Sequence, residues 1–287
     1  MKRCLSCNTK FNNSSWTCPK CHIKPNIQEG YLCFSPDIEN EGFPEGLFKG
    51  LFNHEEGNYW FSSRNSLIVW ALQKYFPRAK TLLEIGCGTG YVLSGIKKQN
   101  PNLTLNGSDI FIKGIDFASK RLHNVEFFQM DARKIPFYNE YDVIGAFDII
   151  EHISEDELVL SEIFKALNQG GGLIVTVPQH QFLWSSYDEF ACHVRRYSSK
   201  ELISKLERAG FKVLRMTSFI SFLLPLMFIS RLRNKNQKEE FDPFKELKIN
   251  PILNKGLEGV LTLERSFIKA GVSFPFGGSL LLVGRKV

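Results

Sequence analysis

Residues 81–90, TLLEIGCGTG, constrain this chain more than any other stretch. Apolar Leu82, Leu83 and Ile85 lead into Gly86, Gly88 and Gly90, and a helix-compatible run, YVLSGIKKQ, follows. That order predicts strand, tight turn, helix. Glycines let the backbone take positive φ and approach a ligand closely, while the helix N-terminus offers unpaired N–H groups and a partial positive charge. The glycine spacing is G-x-G-x-G, where a dinucleotide fold shows G-x-G-x-x-G, and no G-K-S/T follows, which excludes a P-loop. Glu84 lies just before the turn, and a second predicted strand, LTLNGSD, ends in Asp109, where an adenosine ribose needs a carboxylate to accept its hydroxyl protons.

With those residues in place, the sequence resembles the class I S-adenosylmethionine (SAM) methyltransferases. EIGCGTG matches their glycine motif and SDI their ribose-binding strand end; MDA at 130–132, FDIIEHI at 147–153 and GGGLIVTVP at 170–178 follow in the family's order. The resemblance covers about residues 55–287. It implies an α/β, Rossmann-like sheet of seven mostly parallel strands with an antiparallel last strand and helices on both faces. It further implies that Glu84, Gly86, Gly88, Gly90, Asp109, Ile110, Asp131, Ala132 and Phe147 hold SAM, with Asp131 and Ala132 meeting the adenine. The NYWFSSRN element resembles one that covers the cofactor in bacterial small-molecule methyltransferases. It would put Trp60 or Tyr59 over the sulfonium or adenine and Arg64 near the methionine carboxylate.

The N-terminal segment is of another kind. Cys4-Leu-Ser-Cys7 and Cys18-Pro-Lys-Cys21 place four thiolates on two knuckles in a stretch too short and polar to bury a core. Residues 1–30 therefore resemble a zinc ribbon, in which Zn²⁺ held by Cys4, Cys7, Cys18 and Cys21 supplies folding free energy and, with no open coordination position, does no chemistry. Four of the seven cysteines in a metal-type pattern suit a reducing compartment, and no apolar leader opens the chain, so a cytoplasmic protein is expected. The net charge of +6 is spread through the sequence without a block, which permits nucleic-acid or anionic-membrane contact without demanding it.

Glycine, proline and acidic residues recur without period over 31–54, which predicts a linker. A helix from about Ser62 to Pro77 follows, and the Ser154/Glu157 pair predicts a capping box for a helix reaching Leu167, closed by Gly170–Gly172. After the fifth strand, PQHQFLWSSYDEFACHVRRY carries Trp184, Asp188, His193, Arg195, Arg196 and Tyr197 in a loop at a strand's carboxyl end, the place for an acceptor pocket. Trp184, Arg195, Arg196 and Tyr197 are the substrate-binding candidates, the two arginines as a clamp for an anionic group. An insertion at 218–277, apolar and then basic, predicts a lid or a surface resting on a membrane through 218–235.

Methyl transfer from a sulfonium is an in-line displacement in which the enzyme mainly aligns the partners. An acceptor hydroxyl or ammonium also needs a base, for which His152 comes first and His193, oriented by Asp188, second. The acceptor is expected to be a small molecule or a lipid- or glycan-linked intermediate. Two rivals stay open: an RNA-modifying enzyme that holds nucleic acid with its ribbon, and a SAM-binding protein that docks a partner without turnover.

Overall fold

The computed structural model describes residues 1–35, 45–234, 244 and 247–287, with side chains left aside over 231–234. In chain order the strands are β1 (Lys2–Arg3), β2 (Lys10–Phe11), β3 (Asn26–Gln28), β4 (Tyr31–Cys33), β5 (Thr81–Ile85), β6 (Thr104–Asp109), β7 (Glu126–Gln129), β8 (Tyr141–Phe147), β9 (Leu167–Pro178), β10 (Phe211–Phe219) and β11 (Ser279–Lys286). The helices are α1 (Glu45–His54), α2 (Tyr59–Tyr75), α3 (Tyr91–Gln99), α4 (Ile112–Arg121), α5 (Asp156–Ala166), α6 (Ser186–Phe190), α7 (Ser199–Arg208), α8 (Leu224–Asn234) and α9 (Pro251–Lys269).

All seven expected strands form one sheet, in the order β10-β11-β9-β8-β5-β6-β7, and β4 and β3 extend it to nine. β5 through β9 run parallel, while β11 lies antiparallel between β9 and β10. Side chains alternate across the sheet, so Leu82 and Leu281 join α2, α3, α4 and α9 on one face, and their neighbours Leu83 and Leu282 join α5 and α7 on the other. The strand order turns outward from β5 and β8, and in an open α/β sheet the crevice at the carboxyl ends of such a pair receives the ligand.

The linker expected over 31–54 is corrected. β4 pairs in parallel with β7 (Leu32 with Phe128), and α1 packs against α4 with Leu47 and Phe48 buried; residues 36–44 lie outside the described ones. Alternation of glycine and acids hid one short strand and an amphipathic turn whose apolar positions are only Leu47, Phe48, Leu51 and Phe52. The capping box expected at Ser154 is absent: α5 starts at Asp156 behind Glu155, and Glu157 turns out to an ion pair with Arg208 at 2.8 Å. Nor do Gly170–Gly172 close that helix, because β9 begins at Leu167 and Gly170 (φ 76°) lies within the strand. Ser198 does cap α7, accepting from the Glu201 N–H.

The N-terminal segment is docked on this core. The Arg3 N–H donates to the Pro136 carbonyl at 2.8 Å, and the Arg3 guanidinium pairs with buried Glu162. Trp16 inserts edge-on among Phe34, Phe128 and Phe137, with ring centroids 4.7, 6.1 and 5.6 Å away. Lys2 lies over Trp16, and Lys10 over the Tyr138 ring at 3.2 Å. Truncating such an aromatic anchor removes both its buried area and its edge-to-face contacts. Trp16→Ala is therefore expected to lower unfolding free energy by about 2–4 kcal/mol and to open a new cleavage site within residues 1–24 under limited proteolysis; denaturation in urea and mass mapping of fragments check both.

Candidate active site

The glycine turn takes the predicted backbone. Gly86, Gly88 and Gly90 have φ of 68°, 48° and 72°, and a Cβ at Gly90 would stand 2.9 Å from that of Ala118, so neither conformation nor space admits a side chain there. Asp109, at the end of β6, accepts from the Gly88 N–H at 2.8 Å through one oxygen and from the Phe111 N–H at 2.9 Å through the other. Burial pushes this carboxyl up, those backbone donors pull it back, and it settles at about 6. Glu84 is buried at the end of β5 with Oε2 unpartnered, and burial raises it well above the usual carboxylate range despite nearby Arg64.

Several residues around this turn were not singled out in the sequence. Thr89, inside the turn, donates its hydroxyl to Glu55 at 2.6–2.7 Å, and Arg121 donates to Glu55, to the Thr89 carbonyl and to the Thr89 hydroxyl at 3.0–3.1 Å. This network ties the end of α1 to the turn, while Phe48 of α1 packs over Gly88 and Gly114. Their only sequence signal was position: Glu55 opens the segment before the aromatic element, and Thr89 lies between two motif glycines.

Other expected cofactor contacts are placed differently. Arg64 pairs with Asp148 and stacks 4.5 Å from the Trp60 ring centroid, which sets both residues of the NYWFSSRN element beside the carboxyl ends of β5 and β8. Asp131 receives Arg133 through a forked pair at 2.8–3.0 Å, so much of its accepting capacity is already used, and Ala132 and Phe147 are buried. Ile110 is partly buried, its carbonyl accepting from Gln129.

On the acceptor side the loop after β9 folds onto the turn after β8. The Val194 N–H donates to the Glu151 carbonyl at 2.9 Å, bringing His193 to His152 with ring centroids 4.6 Å apart, edge to face. Asp188 accepts from His193 Nδ1 at 2.9 Å and from Arg196 Nε and Nη2 at 2.7 and 2.9 Å. Burial works against this carboxylate, yet hydrogen bonds from His193 and Arg196 outweigh it and hold Asp188 below its usual range. Asp188 thus orients His193, as its place in the sequence suggested. His152, engaged by backbone of Ala191 and Cys192, is held down to about 4 by burial and then by His193.

The arginine clamp is not built. Arg196 is spent on Asp188, and Arg195 on Asp156 (2.8 Å) and the Ser154 carbonyl (3.0 Å). Tyr197, expected at the acceptor, is fully buried and donates to Asp156 at 2.6 Å. These residues shape the loop: Arg196 pairs within it, Arg195 and Tyr197 tie it to Asp156 at the start of α5, and the same composition would have served a clamp equally well. Trp184 is partly buried at the end of a 3₁₀ turn.

A family model described as a methyltransferase domain matches residues 53–216. Demethylmenaquinone methyltransferase of Thermotoga maritima is 26% identical over 168 residues, 56% of this chain and 72% of that protein. A probable S-adenosylmethionine-dependent methyltransferase of Mycolicibacterium smegmatis is 27% identical over 164 residues, 55% of this chain and 61% of that protein. Among solved structures, phosphoethanolamine N-methyltransferase 2 of Haemonchus contortus in complex with SAM aligns with a TM-score of 0.57 at 19% identity, covering 85% of this chain and 57% of that one, which shows the shared fold. With the glycine turn, the buried acids at its flanks and the inserted antiparallel strand all in place, the chain belongs to the class I SAM-dependent methyltransferases.

Proposed function

We propose that the protein methylates a small molecule, or the small headgroup of a lipid- or glycan-linked intermediate, with SAM seated between the glycine turn and Asp109. The observation that carries this reading is the oriented Asp188–His193 pair, standing with His152 beside the crevice that Glu84 and Arg64 line. Arg64 would exchange Asp148 for the methionine carboxylate, and Trp60, beneath that guanidinium, would flank the sulfonium. Asp109 would accept from the ribose, and Asp131 with Ala132 would meet the adenine. The acceptor would be received at the His152–His193 cluster.

Two features bear on the partner. Leu226, Phe228 and Ile229 of α8 are exposed, and exposed Phe182 of the acceptor loop lies with its ring 6.2 Å from that of Phe228, so an apolar band runs up to the acceptor side and suits an acceptor carried on a lipid. No helix among the described residues is long and apolar enough to cross a membrane; residue 235 of the expected membrane-facing stretch 218–235, and 236–243 and 245–246 of the insertion, lie outside them. On the ribbon, Arg3 pairs with buried Glu162, Lys2 and Lys10 lie over the Trp16 and Tyr138 rings, and Trp16 packs on Phe34, which leaves a thin stacking surface for nucleic acid and weighs against the RNA reading.

The four cysteine sulfurs lie within 4.8 Å of one another, and Asn8 and His22, which follow the second cysteine of each pair, both take the left-handed conformation at φ 59° and 60°. Each knuckle closes with an N–H from that residue to the first cysteine's carbonyl, at 2.9 and 3.0 Å. Such a sulfur cage fits a structural Zn²⁺.

Four measurements test this reading. SAM should bind saturably, and its affinity should weaken as pH falls below about 6, because a carboxyl raised to about 6 by burial takes up a proton there and can no longer accept from the ribose; Asp109→Asn should bind poorly and lose this slope, and a flat profile for the wild type refutes the contact. Incubation with labelled SAM and cell extract should label a small molecule or lipid; labelled RNA would favour the rival. One zinc per chain should be released by chelator with a lowered Tm, and Cys18→Ser should abolish it. Finally, Arg196→Lys and Tyr197→Phe should each cost about 1–3 kcal/mol of stability without a selective rise in acceptor KM, whereas such a selective rise restores the clamp.

A further inference from the structure

Two groups of side chains among the described residues bring three or more metal-type ligand atoms within 4.8 Å of one another: the four cysteines, and Glu151 with His152 and His193. The second group is unlike an ordinary buried polar cluster. Glu151 is 0% exposed, and neither Oε1 nor Oε2 has a hydrogen-bond partner. A buried carboxylate without donors is costly, and a missing cation is one of few things that would relieve it. Oε1 instead stands 4.0 Å from His193 Nε2, too long for a hydrogen bond.

The ring orientations point the same way. Asp188 engages Nδ1 of His193, which leaves Nε2 facing Glu151, and Asp188 is itself fixed by the forked Arg196 pair. A carboxylate behind one ring nitrogen, with the other turned to the site, is how proteins orient a metal-binding histidine. His152 is anchored by the backbone of Ala191 and Cys192, at the base of the same loop. A cation with ligand distances of about 2.0–2.2 Å holds its ligand atoms about 3.0–3.5 Å apart, so atoms now within 4.8 Å of one another need to close by up to about 1.8 Å.

We propose that Glu151, His152 and His193 bind a divalent cation of the kind that takes mixed nitrogen and oxygen ligands, and that this cation receives a hydroxyl of the acceptor. The proposal rests on the methyl-transfer reading and makes the acceptor an alcohol or phenol. Three protein ligands leave coordination positions for the acceptor oxygen, and a bound cation lowers the pKa of such a hydroxyl. The hydroxyl proton passes to solvent, the oxygen–methyl bond forms as the methyl–sulfur bond breaks, and the bonding pair returns to sulfur, leaving neutral S-adenosylhomocysteine. His152 and His193 then act as ligands, and the need for a free histidine base disappears.

Mn²⁺ is the probe, since it favours oxygen and nitrogen ligands over the thiolates of the cysteine cage. The full-length protein, without SAM or acceptor, is titrated with Mn²⁺ and free ion is read by electron paramagnetic resonance. One Mn²⁺ should bind per chain, with imidazole nitrogen modulation in the pulsed spectrum. Glu151→Gln, isosteric and uncharged, should raise the Kd at least about tenfold, and His193→Gln should diminish the nitrogen modulation. Circular dichroism and SAM binding confirm that each variant is folded. No saturable Mn²⁺ binding at low millimolar concentration, or unchanged binding in Glu151→Gln, overturns the site. If Mn²⁺ binds as described but SAM does not, the methyl-transfer reading fails and the metal site stands; if SAM binds and Mn²⁺ does not, only the metal site falls.

Discussion

The geometry of the crevice depends on one carboxylate, that of Asp109. Its two oxygens hold the N–H groups of Gly88 and Phe111, so the loop after β5 and the start of α4 after β6 are pinned to each other. The first loop has little side-chain packing of its own to hold its shape, because Gly86, Gly88 and Gly90 carry no side chains. The positive φ values of Gly86, Gly88 and Gly90 follow from this tether as much as from the absence of Cβ atoms. The Glu55–Thr89–Arg121 network then fastens α1 to the same turn from outside, and the buried acids, though expensive to desolvate, are matched by Arg64 and Arg121 close by.

Legibility in the sequence followed how local the determining physics is. The strand–turn–helix at 81–99 was readable because glycine spacing and an apolar run decide it within a few residues. So were β8, a continuous apolar run buried on both faces, and the cysteine knuckles, where Asn8 and His22 take the conformation that the position demands. The hairpin of β3 and β4 was not readable: Asn26, Ile27 and Gln28 are exposed, and what makes the segment a strand is an edge supplied by β7, far along the chain.

The acceptor loop shows the same limit for function. Residue types singled out this loop, and in it Asp188 accepts from His193 Nδ1. Yet a list of charges does not say which of them neutralise one another. Arg196 found Asp188 within the loop, while Arg195 and Tyr197 found Asp156 at the start of α5, a partner about forty residues away that the loop's own composition does not reveal. The residues left over, Glu151 with no donor and His193 with one nitrogen uncommitted, are the ones that sequence reading had ranked low or passed by.

The docking of the N-terminal segment also sets an order of events in biosynthesis. Residues 1–34 leave the ribosome well before their seats, Phe128, Pro136, Phe137 and Glu162, which are translated about a hundred residues or more later. Until β7 and α5 exist, Trp16 and Phe34 have nothing to pack against and β4 has no edge to join. At roughly 5–20 residues per second that wait lasts several seconds, during which a nascent chain shows two aromatic rings and an open strand to its surroundings. The N-terminal segment therefore reaches its place only after residues far along the chain have been made.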